Sequence, residues 1–247
     1  MIKGLLDVYS WRARAFPVYL TIAPLALALV AVLPHGLSFS VGGGAAIVFV
    51  PLAYLLGQLG GDCGKRLEKR LWQKWGGPPT TRFLRHANDE FNTITRERIH
   101  ERLRGLGLHI PSKKEEKDDP ARADQYYQAC TEELIRRTRD RKKFPLVFEN
   151  LTDYGFRRNL LALKVFGLPI TVIALLVCLW RIWETWSVQE PPVVSIVATL
   201  LILGLLLIWI FWVTEETVRI AANRYARSLL EATLSMEWSK SWLLFTI

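Results

Sequence analysis

The chain has 247 residues, a net charge of +9 and 51% hydrophobic residues, including 10 Trp. Its apolar residues fall in uncharged blocks rather than along one face of amphipathic segments, which excludes an ordinary water-soluble domain. The cysteines Cys63, Cys130 and Cys178 are odd in number and form no CxxC pair, so nothing in the sequence suggests a disulfide framework or a zinc site; reduced thiols fit a cytosolic face.

No Asp, Glu, Lys or Arg occurs from Ala15 to Gly61, between Lys164 and Arg181, or between Glu190 and Glu215. A bilayer core of about 30 Å asks a helix for about 20 such residues. Residues 1–14 predict a short interfacial helix, with Ile2, Leu5, Leu6 and Tyr9 on one face and Trp11, Arg12 and Arg14 at the headgroup boundary. Another apolar run follows the first at once, so the first reads as a retained span and not a cleaved signal peptide. The first span is about Phe16 to Leu33 and the second about Val41 to Gly60, joined by Pro34-His35-Gly36.

A polar insert follows. From Gly61 to Arg158 it carries 23 Lys and Arg against 16 Asp and Glu. A helix over Gly64–Trp75 places Leu67, Leu71, Trp72 and Trp75 on one face, with Lys65, Arg66, Lys69, Arg70 and Lys74 around the others. A basic amphipathic helix beside a span lies on anionic headgroups, at about 1 kcal/mol per cation. Lys65, Arg66, Lys69, Arg70, Trp72 and Trp75 are therefore the candidate membrane-surface residues. The run Gly60-Gly61-Asp62-Cys63-Gly64-Lys65 is not a phosphate loop, since Leu59 and Arg66 stand where a glycine and a Ser or Thr are needed.

Trp75-Gly76-Gly77-Pro78-Pro79 must stop the helix. Asn88 then predicts a cap for a helix from about Asp89, with Phe91, Ile94, Ile99, Leu103 and Leu106 on one face. Lys113 to Pro120 reads as a mixed-charge loop. A further helix over about Ala121 to Lys142 has Tyr126, Cys130 and Leu134 as its apolar stripe, with Tyr127 at the edge of it, and ends among Arg136, Arg137, Arg139, Arg141, Lys142 and Lys143.

Phe144-Pro145-Leu146-Val147-Phe148-Glu149-Asn150 and Tyr154-Gly155-Phe156-Arg157-Arg158-Asn159 read as a folded junction into the third span. These stretches, with Trp75-Gly76-Gly77 and Thr80-Thr81-Arg82, resemble patterns in uncharacterised bacterial inner-membrane proteins with four spans and a basic cytosolic insert. The resemblance implies that location and layout, makes antiviral defence a natural setting, and carries over no activity.

The third span runs from about Leu160 to Trp180 and the fourth from about Val193 to Val213, with Trp180, Trp183 and Trp186 as one aromatic belt and Trp209 and Trp212 as the other. Lys and Arg crowd the N-terminus, the insert and the tail, while the two short connections offer only Arg181. By the positive-inside rule both termini and the insert are cytoplasmic. The expected fold is thus an all-α membrane protein. Residues 1–60 hold an interfacial helix and the first hairpin, 61–158 the basic helical insert, 159–213 the second hairpin and 214–247 a cytosolic C-terminal helix.

The candidate ligand-binding residues are Arg82, Arg85, Arg136, Arg137, Arg139, Lys142 and Lys143, for their charge density near Phe83, Tyr126 and Tyr127, which offer rings for stacking a base. No motif asks for a metal or cofactor. The leading functional expectation is an oligomeric, channel-like membrane effector. It senses an anionic cytosolic ligand or partner (nucleic acid, nucleotide signal or protein complex) and perturbs the membrane. The alternatives are an anchor or scaffold for a soluble partner, and a membrane-bound enzyme using His86, Asp89 and Glu90.

Overall fold

The computed structural model describes residues 10–32, 39–186 and 193–236, the side chains at 10, 39–53 and 55 excepted. Every regular element among them is helical. In chain order these are α1 (Phe16–Val32, entered through a π-helical turn Ser10–Ala15), α2 (Phe39–Trp75), α3 (Pro79–Leu84), α4 (Thr93–Gly105), α5 (Lys113–Asp118), α6 (Pro120–Arg137), α7 (Pro145–Thr185), α8 (Val193–Leu207, continued by a π-helical turn Ile208–Trp212) and α9 (Glu215–Ser235). The chain divides into two compact units, Met1–Leu71 with Thr152–Ala221, and Trp72–Leu151 with Ala222–Ile247.

Among the described residues, three helical stretches are long and apolar enough to cross a membrane: Trp11–Val32, Pro145–Thr185 and Val193–Trp212. They meet through small residues. Ala28 and Ala31 of α1, Ala174 and Cys178 of α7, and Ala198 with Ile202 of α8 form one buried cluster. Small side chains let helix backbones approach where lipid supplies no hydrophobic drive. Ser195 Oγ donates to the Ala31 carbonyl at 3.2 Å, tying α8 to α1. The outward faces are apolar too: Val165 is 75% exposed and Phe211 74%. An apolar surface of that extent is unfavourable in water and compatible with a bilayer. The stretch predicted as the second span, Val41 to Gly60, lies within α2.

Some predicted details differ. The predicted junction stretch is continuous with the third span: α7 is one helix from Pro145, whose fixed φ suits a first-turn position, and Gly155 does not break it. Trp180, Trp183 and Trp186 are exposed at the far end of α7, as a belt requires, but Trp209 is buried. Its indole lies against Gly167, where a Cβ would collide with it.

The second unit packs around Tyr127, Leu134, Phe83, Ile99, Leu103, Leu229 and Leu230, all essentially inaccessible to solvent. The C-terminal α9 supplies Ala226, Leu229, Leu230 and Ala232 to this core. On α6 the buried stripe is Ala123, Tyr127, Cys130 and Leu134, so Tyr127 and not Tyr126 faces inward. α4 starts later than predicted because Asn92, not Asn88, accepts from the N–H three residues on (Thr95, 2.8 Å). Asn88 instead turns the chain by accepting from the Glu90 N–H. The segment predicted as a loop holds α5, started by a capping box between Ser112 and Glu115.

Candidate functional site: two cationic surfaces

Past Gly60, α2 sorts its residues by face. Gly64, Glu68 and Leu71, spaced four and three apart, turn inward, while Lys65, Arg66, Lys69 and Arg70 are exposed. The inward face is an ion-paired seam with α7. Glu68 Oε1 accepts from Tyr154 Oη at 2.5 Å and from Arg158 Nη1 at 3.0 Å. The Arg158 and Glu68 side chains are only 10% and 14% exposed, so the pair is largely desolvated. Arg158 also donates from Nε and Nη2 to Asn159 Oδ1, at 3.3 Å each. Asn159 Nδ2 completes the seam by donating to the Ala13 carbonyl at 2.7 Å.

Two neighbouring cations serve helix ends. Lys164 Nζ donates to the Val213 carbonyl at 2.8 Å, where helix-end carbonyls lack intrahelical donors. Arg157 pairs with Asp153 at 3.0 Å, donates to the Thr217 carbonyl at 3.4 Å, and holds its guanidinium 5.3 Å from the Trp212 ring. The outward cations of α2 are different: among the described residues, none of Lys65, Arg66, Lys69 and Arg70 meets a carboxylate. Trp72 and Trp75, predicted with them, are half-buried.

In the second unit, Gly76 and Gly77 take φ of +79° and +122°, which L side chains rarely adopt. Gly77 N–H returns to the Trp72 carbonyl at 2.8 Å, closing α2, and Pro79 opens α3. This turn sets Arg85, whose guanidinium forks onto Asp124 at 2.8 and 2.6 Å and also donates to the Gly76 carbonyl at 3.0 Å. The bond to Asp124 raises the Arg85 pKa, so the charge is firmly held, but it is spent on structure. Arg82 is half-buried and engaged within the fold. Arg136 and Arg137 both bond Glu133 of their own helix, the latter at 2.6 Å.

Arg139, Lys142 and Lys143 are exposed, and no carboxylate pairs with their side chains among the described residues. Asp140, between them, uses its Oδ1 on the backbone N–H groups of Lys142 (2.9 Å) and Lys143 (3.4 Å). Arg141 lies over the Phe148 ring at 4.6 Å. The predicted ligand residues therefore fall into two groups. Arg85 sits at the Asp124 end of α6 and Arg136 at the other, roughly 18 Å away along the helix.

Of the rings expected to stack a base, Phe83 and Tyr127 are core residues, 1% and 0% exposed. Tyr126 is half-exposed and meets the His109 ring edge-on at 4.5 Å. Beside it is a cavity of about 340 Å³ with Glu115, Asp119 and Arg122 on its walls. Sequence reading missed this hollow, although Ser112-x-x-Glu115, the capping-box spacing that builds one wall, was visible.

The histidines do not converge on the acids beside them in sequence. His86 Nε2 meets the Pro111 carbonyl and its backbone N–H donates to Glu116 Oε2, both at 2.9 Å. Tyr127 donates to the same Glu116 oxygen at 2.6 Å. His100 Nε2 meets the Leu84 carbonyl at 2.9 Å, with its ring edge-on to His86 at 4.9 Å. Asp89 and Glu90 are exposed, and Glu90 lies 3.9 Å from Arg227. Among the described residues no three His, Cys, Asp or Glu are grouped to hold a metal ion. Burial pushes His100 down to about 4, the nearby charges of His86, Arg104 and Arg96 acting in the same direction. Burial and the bond to Glu116 push the Tyr127 phenol well above its ordinary range, and burial pushes Cys130 up to about 11.

Compared with known proteins, the chain matches no family model, no curated protein and no solved structure.

Proposed function

We propose that the protein is a membrane effector of the bacterial inner membrane. In this reading α1, the first half of α2, α7 and α8 cross the bilayer as two hairpins, with both termini and the second unit in the cytosol. An anionic ligand or partner (a nucleic acid, a nucleotide signal or an acidic protein complex) binds the second unit, and the spans, assembled as an oligomer, then perturb the membrane. Antiviral defence is the setting the sequence resemblance favours.

The observation that carries the reading is where charge is left uncompensated. Arg82, Arg85 and Arg158 are engaged within the fold and the exposed Arg136 and Arg137 pair with Glu133 of their own helix, whereas Lys65, Arg66, Lys69 and Arg70 on α2, and Arg139, Lys142 and Lys143 after α6, are exposed and without a carboxylate partner among the described residues. The α2 group suits headgroups beside a span. The group after α6 suits an anion in solution.

Liposomes carrying the full chain test this. Dye should leak on adding single-stranded nucleic acid, a nucleotide or a cell extract containing the partner; vesicles that stay tight with all of these remove the effector mechanism. A scaffold is the second reading, favoured by Ile94 (73% exposed) and Leu146 (68% exposed), two apolar side chains on the surface of the second unit. It predicts a stoichiometric soluble protein that co-purifies and is lost on changing Ile94 and Leu146 to Ser, with vesicles that never leak.

A further inference from the structure

In the first unit, α1, α7 and the end of α8 do not close completely. Leu20, Phe156, Leu160, Leu205 and Trp209 line a groove of about 390 Å³, with Trp212 at one end. That volume is within the range of small-molecule sites, and the lining is apolar throughout. The groove has a direction. From Trp212 to Leu205 the helix rises roughly 10 Å, leading from the polar end of the bundle into the uncharged part of α8. Trp209 sinks onto Gly167, a residue small enough to receive its indole there, and this gives the groove a flat floor.

Two basic side chains lie beside one end of the lining, and one of them, Arg157, is paired with Asp153 at 3.0 Å. The Arg157 guanidinium stands 5.3 Å from the Trp212 ring, and Lys164 Nζ is fixed to the carbonyl of Val213, a lining residue. Lys164 is half-buried near the start of an apolar span, and among the described residues only a carbonyl is its partner. Among the described residues no carboxylate neutralises it, a costly state in a span unless an anion comes to it. An apolar channel with an unpaired ammonium beside one end matches a molecule with a negative head and a hydrocarbon tail.

We infer that this groove is a binding site for one anionic phospholipid, with an acyl chain between α1, α7 and α8 and the phosphate at Lys164. The site is separate from the exposed cations of α2 and does not depend on what the second unit binds. A neutral phospholipid fills the groove equally well with its tail, so the head decides selectivity. A site of this kind ties the packing of three helices to the composition of the surrounding leaflet.

The test uses the full chain in mild detergent, supplied with equal phosphatidylglycerol and phosphatidylcholine and read by native mass spectrometry. The wild type should retain one phosphatidylglycerol with at least tenfold preference. Lys164→Gln should bring the ratio close to one while retaining a lipid. Leu205→Trp, which fills the groove without touching Lys164, should abolish retention of both, at a melting temperature within a few degrees of the wild type. Equal retention of the two lipids by the wild type overturns the proposal. So does phosphatidylglycerol retention undiminished in Leu205→Trp, which places the lipid elsewhere. A cross-link between cysteines placed at Leu20 and Leu205 of different copies also overturns it, because a second copy then occupies the groove.

Discussion

Asn159 Oδ1 occupies the space that a Cβ on Gly64 would take. The two helices, α2 and α7, come together there on a hydrogen-bonding side chain, so the absent side chain on one is the condition for the polar seam on the other. Gly64→Ala must push Asn159 off the Ala13 carbonyl and away from Arg158. We expect a loss of about 1–3 kcal/mol, read as a lower melting temperature in detergent. An unchanged melting curve would show that the seam has slack.

The buried Glu68–Arg158 pair should behave asymmetrically. Glu68→Gln leaves Arg158 largely buried and uncompensated, and breaking one side of such a pair costs about 3–5 kcal/mol. Replacing both, as in Glu68→Leu with Arg158→Met, should recover most of the loss. The double-mutant cycle in thermal unfolding measures the coupling; additive losses would refute it.

Acid should loosen the second unit through His100. Its folded pKa is about 4 against an ordinary 6.5, so as pH falls the unfolded chain takes up the proton first. The stabilisation is complete above about pH 6.5 and is lost on descending to about 4, at most about 3 kcal/mol. The groups facing this imidazole are His86, Tyr127, Arg96 and Arg104. His100→Gln should flatten stability between those pH values relative to the wild type, whatever its own starting stability; parallel profiles would exclude the role.

Thiol reagents should separate the cysteines outside the bundle core. Cys130 is 1% exposed and its thiol is raised to about 11, whereas Cys63 is partly exposed on α2. A maleimide should therefore label Cys63 well before Cys130 in the native protein, and both after denaturation. Protection of Cys130 follows from burial alone, so the proposed sidedness is better tested with an impermeant reagent at Cys63. Modification of Cys63 from the periplasmic side would contradict the proposed layout.

The two sets of cations should respond differently. Changing Arg139, Lys142 and Lys143 together to Gln should weaken anion binding by at least tenfold in lipid-free detergent and leave the melting temperature unchanged. Arg85→Ala should instead lower stability by about 1 kcal/mol, because the partly exposed fork to Asp124 is lost. Equal effects on binding would mean that Arg85 leaves Asp124 to meet the ligand.

Sequence alone determined the helical class, the apolar stretches around residues 16–32, 160–180 and 193–212, and the cationic face of α2. Each follows from the run or period of residue types along one element, which neighbours in space do not alter. It misread Asn88 as the cap, placed Tyr126 in the buried stripe beside Tyr127, and gave Lys113 to Pro120 no helix, because rotations and starts of short helices depend on which single hydrogen bonds form. Only the tertiary structure decided which cations are spent. Arg85 and Arg139 are alike in sequence as basic residues in basic surroundings, yet Asp124, far along the chain, neutralises the first while no carboxylate among the described residues pairs with the second. Charge pairing across the fold is a non-local property: whether a cation is available to a ligand is set by what packs against it.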